Sequence, residues 1–475
     1  MSRAAPKCLR QPPSAAIGSA CARFGLAVLV TLAATGGAFA ETLLEALVKA
    51  YQTNPQLNAE RARQRGTDEN VLQALVGYRP QIVASLSAGL LPVRNLLPDN
   101  TIQSASLRPW TIGLTVSQVL FNGNKTANSV RVAEFQVRSG REALRNVGQG
   151  VLLDAVTAYM NVMANNALYE AQRTNVQVLR EIQATTQRRL NAGDVTPTDT
   201  AQAEARLSRG LADLNAAEVQ LAISKEIYVQ VIGEAPTQLQ PGSPVDRLIP
   251  TTEPAVIELA NHEHPAVLGA GYDVDVATTS IKLAESSLLP TVSVQANANH
   301  AVENDPTLST IKTDQASVIG QINVPIYDGG AAASQTRQAK EVASQSRLVL
   351  EQVRNQARTA VVSAWVANEG TKVALKAAES EVKAAEVALQ GVRREAAGGQ
   401  RTTIDVLNAQ QDLTNARTRQ ITSQRDRVIA SYTLLSAVGR LDVRTLNLNT
   451  PDYLPDIHYH QVRDAWQGLR TPSGQ

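Results

Sequence analysis

The heptapeptide Gly399-Gln400-Arg401-Thr402-Thr403-Ile404-Asp405 has an echo in Gly193-Asp194-Val195-Thr196-Pro197-Thr198-Asp199. Both read Gly-x-x-Thr-x-x-Asp, and they lie 206 residues apart. In each, glycine ends one helical pattern, and Thr and Asp can cap the next. Other landmarks recur in the same order. Asn54-Pro55 matches His264-Pro265 and Pro80 matches Pro290, both at an offset of 210. Phe121-Asn122-Gly123 matches Tyr327-Asp328-Gly329, and Gly233 matches Gly439, both at 206. The chain is therefore an internal duplication, with a period far too long for a short-repeat solenoid. The loss of four residues between Pro290 and Tyr327 predicts a shorter connecting loop in the second copy.

Each copy reads helix, strand, loop, strand, long helix, turn, helix. In the first, 42–77 is helical with a break at Asn54-Pro55. Residues 81–90 then alternate, with Ile82, Ala84, Leu86 and Ala88 against Ser85 and Ser87. A polar loop with Pro92, Pro98, Asp99 and Asn100 follows. Residues 110–120 alternate again, with Ile112, Leu114, Val116 and Leu120 against Thr111, Thr115 and Ser117. The second copy has Val292, Val294, Ala296 and Ala298, a loop at 301–315, then Ile322, Val324 and Ile326 against Gln321 and Asn323. These are period-two strands of about ten residues. The helices predicted over Asn124–Asn191 and Ala331–Ala397 would each span roughly 100 Å. Heptad-like seams run along them: Leu375, Ala378, Val382, Ala385, Leu389, Val392 and Ala396 on one, and Leu207, Leu211, Leu214, Ala217 and Leu221 on a return helix. The return helices, 200–233 and 406–439, are half as long as their partners.

The N-terminus reads as a leader. Arg3, Lys7, Arg10 and Arg23 precede an apolar run from Gly25 to Ala34, and Ala38-Phe39-Ala40 is a small-x-small cleavage signal. Residues 1–40 are thus expected to be a signal peptide, 41–240 the first repeat, 241–440 a linker and the second repeat, and 441–475 a tail packing near mid-length of the helices. Removing the leader takes four basic and no acidic residues from totals of 45 and 43. What remains is slightly acidic and does not point to a nucleic-acid partner. Both cysteines, Cys8 and Cys21, go with the leader, so disulfide and thiolate chemistry are excluded from the mature chain. Beyond the leader no apolar run is long enough for a transmembrane helix.

Four amphipathic ten-residue strands have the length and pattern of outer-membrane barrel strands. Four cannot close a barrel, and an open sheet cannot leave its edges unpaired in lipid. Closure must come from other subunits. Two chains would give a filled eight-stranded barrel, and three would give twelve strands with an aqueous lumen. Long helices leaving every strand need the wider ring. On this reading Val83, Ser85, Ser87, Thr111, Thr115 and Ser117 line water, while Ile82, Leu86, Ile112 and Leu114 face lipid.

The duplicated Asn/His-Pro helix start, the strand ends Leu120-Phe121-Asn122-Gly123 and Pro325-Ile326-Tyr327-Asp328-Gly329-Gly330, and both tip motifs make this sequence resemble the TolC family of outer-membrane efflux ducts. The likeness covers essentially the whole mature chain. The segment His458-Tyr459…Val462-Arg463-Asp464-Ala465-Trp466 looks like the ending of members that serve type I protein secretion. The resemblance implies a mainly α fold with a four-stranded β contribution, trimerising into a 12-stranded β-barrel on a 12-helix periplasmic α-barrel. It implies a location in outer-membrane lipid, a periplasmic adaptor, and an inner-membrane ABC or proton-driven transporter that supplies the energy. It also implies that Thr198, Asp199, Arg401, Asp405 and Asn408 converge on one axis as a periplasmic gate. Asn408 departs from the many members with a second aspartate there, and Ala396 from those with tyrosine. In this reading Arg401 bonds across hairpins to Asp199 or Thr198. The plainer alternative is that the two aspartates only cap helices and Arg401 is a solvated charge.

Residues that could suggest other chemistry read differently. Asp328-Gly329-Gly330-Ala331 lacks the Gly-Lys-Ser/Thr ending of a phosphate loop and is read as a strand-to-helix turn. His262-Glu263-His264 and His458-Tyr459-His460 lack a third metal ligand. The expectation is a conduit, not an enzyme, with no cofactor. The competing reading is a periplasmic adaptor or coiled-coil scaffold. An adaptor carries one hairpin inside lipoyl-like β-domains, whereas two hairpins here each follow a strand pair.

Overall fold

A computed structural model describes residues 41–303 and 312–472. The expected leader 1–40 and most of the second connecting loop lie outside the described residues. In chain order the elements are α1 (Leu43–Thr53), α2 (Pro55–Leu75), β1 (Gln81–Ala88), β2 (Leu91–Leu96), β3 (Ile102–Leu107), β4 (Trp110–Asn122), α3 (Lys125–Asn191), α4 (Pro197–Ile232), α5 (Glu253–Glu263), α6 (Pro265–Glu285), β5 (Thr291–Val302), β6 (Lys312–Asn323), α7 (Ala331–Ala397), α8 (Thr403–Val438) and α9 (Pro455–Arg463). The duplication is visible in the lengths: α3 and α7 have 67 residues each, and α4 and α8 have 36 each.

The repeated landmarks turn out to touch one another. Pro55 cannot donate a backbone hydrogen bond, so α1 stops at Asn54. The Asn54 carboxamide oxygen then accepts from the Gln56 and Leu57 amides and starts α2, while its Nδ2 donates to the Val231 carbonyl at 3.0 Å. Two residues beyond Val231, Gly233 ends α4 with φ of 95°. In the second copy His264 Nδ1 accepts from the Ala266 amide and starts α6. Gly439 ends α8 at φ 92°, and a Cβ there would lie 2.7 Å from His264 Cα. Arg440 follows it with two bonds to the Glu263 carboxylate, at 2.6 and 2.7 Å. Each kink is therefore the seat on which the return helix of its own repeat ends.

The largest core lies at mid-length of α3. Tyr159 and Tyr228 are fully buried there among Leu47, Leu152, Ile232, Leu435 and Leu441. The Tyr159 hydroxyl sits 2.8 Å from the Glu41 carbonyl and 2.7 Å from that of Gln240, tying the inter-repeat linker to α3. The tail begins in this core, with Val443, Leu446 and Leu448. It then runs along α2 toward the strands, where Asp456 meets Arg141 at 2.5 Å and His458 meets the buried Asp68 at 3.0 Å.

The α7 seam forms as its spacing predicts: Ala378, Val382 and Leu389 are buried, with Val382 and Leu389 packed on Leu413 and Ala416 of α8. On α4 the seam differs from expectation. Leu211 is exposed, and the buried position is Gly210, whose missing side chain admits Leu179 of α3. The inward-facing row is Ala203, Leu207, Gly210, Leu214, Ala217, Leu221, Ser224 and Tyr228, an unbroken 4,3 alternation. Counting apolar side chains selected the neighbour of the true contact.

Strands β1, β4, β5 and β6 form one antiparallel sheet in that order. Two expectations are corrected here. The segment between β1 and β4 is a hairpin, β2 paired with β3, and not a plain loop. Pro92 lies within β2 opposite Ser106, and Pro98 with Asp99-Asn100 forms the turn, where Asn100 takes φ of 65° and Asp99 accepts from the Thr101 amide. In the second copy the strand begins at Lys312, inside the expected loop, and ends at Asn323. Val324 and Ile326 fall outside it, because Pro325 cannot extend a hydrogen-bonded ladder.

Gly439 combines positive φ with a backbone neighbour that cannot yield. Gly439→Ala is expected to destabilise the protein by about 1–3 kcal/mol, read as a lowered thermal midpoint in detergent. Gly66→Ala, in α2 with open space around it, should be neutral or stabilising by up to about 1 kcal/mol.

Candidate functional site

Cross-strand register decides which side chains share a face of the sheet. Ile82 lies opposite Val116, Ala84 opposite Leu114 and Leu86 opposite Ile112. The row continues through Ala296 opposite Val116 and Val318 opposite Ala296. On the other face Val83 lies opposite Thr115, Ser87 opposite Thr111 and Gln81 opposite Ser117, with Ser85 opposite Gly113. That face continues with Asn297, Asn299, Ser317 and Gln315. The expected lumen residues Ser85, Ser87, Thr111, Thr115 and Ser117 thus share one polar face. Among the described residues nothing covers the apolar face: Ile82, Leu86, Val318 and Ile322 are 67–76% exposed. At its loop end Trp110 packs against His300, ring centroids 5.1 Å apart.

Each outer strand pair hands its chain to a long helix through a turn with two left-handed residues. These are Gly123 and Asn124 in the first copy, Gly329 and Gly330 in the second. Asn122 accepts from the Thr126 amide, and its counterpart Asp328 accepts from those of Gly330 and Ala332. The Asp-Gly-Gly turn is therefore occupied by its own helix start.

The tips repeat a single local design. Gly193 and Gly399 take positive φ after α3 and α7. Thr196 and Asp199 form a reciprocal capping box at the start of α4, and Thr402 and Asp405 form one at α8. The Thr196 hydroxyl and then its amide hold the Asp199 carboxyl below the usual aspartate range. The Thr402 amide and then its hydroxyl do the same for Asp405, aided by Arg401. Thr198 sits in the first turn of α4. Arg401 bonds to Glu395 of its own hairpin at 2.9 Å, not to Asp199 or Thr198 of the other. Asn408 accepts from Arg206 at 2.9 Å, linking α8 to α4.

Sequence reasoning missed the residues that join the two hairpins behind the tips. Leu179, Ala203 and Leu407 form a small apolar cluster. Adjacent to it Asn175 Oδ1 accepts from Gln410 at 3.2 Å and from the Thr414 hydroxyl at 3.1 Å, all three residues buried. Arg393 donates to the Gln410 carboxamide oxygen at 2.9 Å. These contacts pair residues up to 239 positions apart, and no local motif announces them.

The family described as outer membrane efflux protein matches residues 46–234 and 256–440, one stretch for each repeat. The chain belongs to that family. It is 39% identical over 442 residues to the outer membrane efflux protein BepC of Brucella suis, covering 92% of this chain and 94% of that one. It is 23% identical to the alkaline protease secretion protein AprF of Pseudomonas aeruginosa, covering 88% of each. The CmeC outer membrane channel of Campylobacter jejuni shares the fold, with a TM-score of 0.76, 15% identity and 89% of both chains covered. This family member is an outer-membrane export channel, and the periplasmic-adaptor alternative falls away.

Capping depresses both tip aspartates, which fixes the sign of a pH effect. The cap contribution is fully present above the unfolded aspartate value of about 3.9 and is lost as pH falls through the lowered folded value. Hydrogen exchange, corrected for intrinsic rate, should show the first turns of α4 and α8 protected at pH 7 and less so at about pH 3.

Proposed function

We propose that three copies of this chain form a passive outer-membrane conduit, closed at rest at the hairpin tips and opened by a periplasmic adaptor and an inner-membrane transporter. The observation that carries this reading is the four-stranded sheet, whose outer strands β1 and β6 are each unpaired on one side among the described residues, and whose apolar face is bare. Pairing β1 of one copy with β6 of the next satisfies both edges, and three copies give twelve strands around an aqueous lumen. The helices supply a second argument. On α7, Val366, Val373 and Val387 are 61–71% exposed and spaced by multiples of seven. On α4, Leu211, Val219, Ile223 and Ile227 are exposed at multiples of four. Both are seams of a kind that neighbouring helices cover.

In this assembly the polar sheet face lines the lumen. Thr198, Asp199, Arg401, Asp405 and Asn408 stand at the end furthest from the membrane, roughly 100 Å of helix away. Six hairpins converge there. The Arg401–Glu395 pair is exposed and screened by water, so Arg401 is free to exchange it for a partner across the axis. The tip is a two-state element, and docking of the adaptor biases it toward open. The named relatives span efflux and protease secretion, so the cargo class is left to the partner transporter. The reading involves no catalysis and no cofactor.

Mass measurement in detergent should give a trimer; a stable monomer or dimer overturns the ring. In planar bilayers Arg401→Ser is expected to raise single-channel conductance and Asp405→Ala to weaken cation preference. If neither changes, these residues only cap and solvate. Cysteines placed singly along β1 and β4 of the thiol-free mature chain should react with an aqueous reagent at 85, 87, 111, 115 and 117, and not at 82, 86, 112 and 114.

A further inference from the structure

Between α2, the stretch of α3 from Arg141 to Leu152, and the tail lies a cavity of about 370 Å³, within the size range of small-molecule sites. Four arginines and four carboxylates line it. Three of the carboxylates are already committed to arginines: Glu142 to Arg145 at 2.6 Å, Asp452 to Arg444 at 2.7 Å and Asp456 to Arg141 at 2.5 Å. The fourth, Asp442, accepts from the Thr445 amide. Arg61 is left as the lining guanidinium with no carboxylate partner among the described residues. It is nevertheless held in place. Its Cζ lies 4.5 Å from the Tyr51 ring centroid and 5.2 Å from that of Tyr453, and Nη1 donates to Asn58 at 2.9 Å. Arg141 of α3 lines the same cavity.

We propose that this cavity binds a small organic oxyanion, a carboxylate or phosphate, seated on Arg61 and Arg141. A guanidinium presents five donors in a planar fork that matches such groups, and it needs no further positioning when two aromatic rings already fix it. A ring-held guanidinium with no carboxylate partner among the described residues, beside a second arginine in a cavity of ligand size, is a seat for such a group. The site spans two elements distant in sequence, α2 through Arg61 and the tail through Tyr453. A bound anion therefore clamps the tail onto the helices. Nothing in this depends on the tips acting as a gate.

The test uses the full mature protein in detergent, in a buffer free of oxyanions. Calorimetric titrations with inorganic phosphate, acetate and citrate are run on the wild type and two variants. Arg61→Gln removes the charge. Gly148→Leu fills the space, since a Cβ at Gly148 meets only Leu57 Cδ1 at 3.9 Å. The expected result is one saturable site per chain for at least one probe, with a rise in thermal midpoint. Affinity should weaken about tenfold or more in Arg61→Gln, the share of a charge-assisted bond, and binding should vanish in Gly148→Leu. Should Arg61→Gln not fold, Gly148→Leu decides by the same criterion. No saturable binding to millimolar probe would mean that water alone fills the cavity, and would overturn the proposal. Binding that both variants retain would mean an adventitious ion only, with the same consequence.

Discussion

The edges of the sheet govern the rest of the molecule. Backbone N–H and C=O groups on the outer edges of β1 and β6 have no partner strand among the described residues, and in hydrocarbon each such group costs several kcal/mol. Covering the apolar face stabilises by roughly 1.5–3 kcal/mol per large side chain, but lipid can do that for any flat sheet. Only other strands can satisfy the edges. Oligomerisation is thus demanded by hydrogen bonding in the strands before any helix is considered. The helical part is different, because it carries its own core around Tyr159 and Tyr228. In the proposed assembly the barrel depends on neighbours for its existence, while the hairpins need them mainly to cover the valine seams.

Duplication shapes how that demand is met. The offsets of 210 and 206 are a record of contacts as well as of ancestry. Asn54 is bonded to the end of α4, and Gly439 is pressed against His264, so each repeat closes on its own kink. The equal lengths of the long helices then bring both tips to one level, a precondition for any common constriction. The four residues removed from the second copy fall in the connection between its strands, where nothing in the described core would register the loss.

Features encoded locally were legible from the sequence. Gly-x-x-Thr-x-x-Asp is a helix stop and a capping box written in adjacent residues, and both boxes form as spelled. Period-two alternation gave the polar and apolar faces, because register shifts by an even number of residues leave faces unchanged. Three things were not legible. Gly210 holds the α4 seam because it is small, and a search for apolar side chains passes over an absence. β2 and β3 were hidden by Pro92, which sits within β2, and by Pro98-Asp99-Asn100, breakers that here build a hairpin turn. The Asn175–Gln410–Thr414 layer and the Arg206–Asn408 bond join opposite repeats, and polar pairing across two hundred residues leaves no periodic trace. Arg401 shows the limit most clearly. Its motif was found, yet its partner within the chain is Glu395 of the preceding helix.

Capping and gating at the tips are compatible, and the bonding pattern shows why. One carboxylate oxygen, Oδ2, of Asp199 takes both Thr196 bonds, and the same oxygen of Asp405 takes those of Thr402. Oδ1 of each has no partner among the described residues. A carboxylate offers about four lone-pair sites, so the cap fixes the orientation of the group while leaving half of its acceptor capacity open. The capping bonds also favour its ionised form, as the proposed cation-attracting ring requires. What can move is then set by the layers behind. The exposed Arg401–Glu395 pair is cheap to exchange, whereas opening the buried Asn175 layer would strand polar groups at about 1–3 kcal/mol each. In the proposed gate, the boundary between what moves and what stays fixed accordingly falls at that layer, sixteen residues before Asn191 on α3, or roughly 24 Å from the end of the helix.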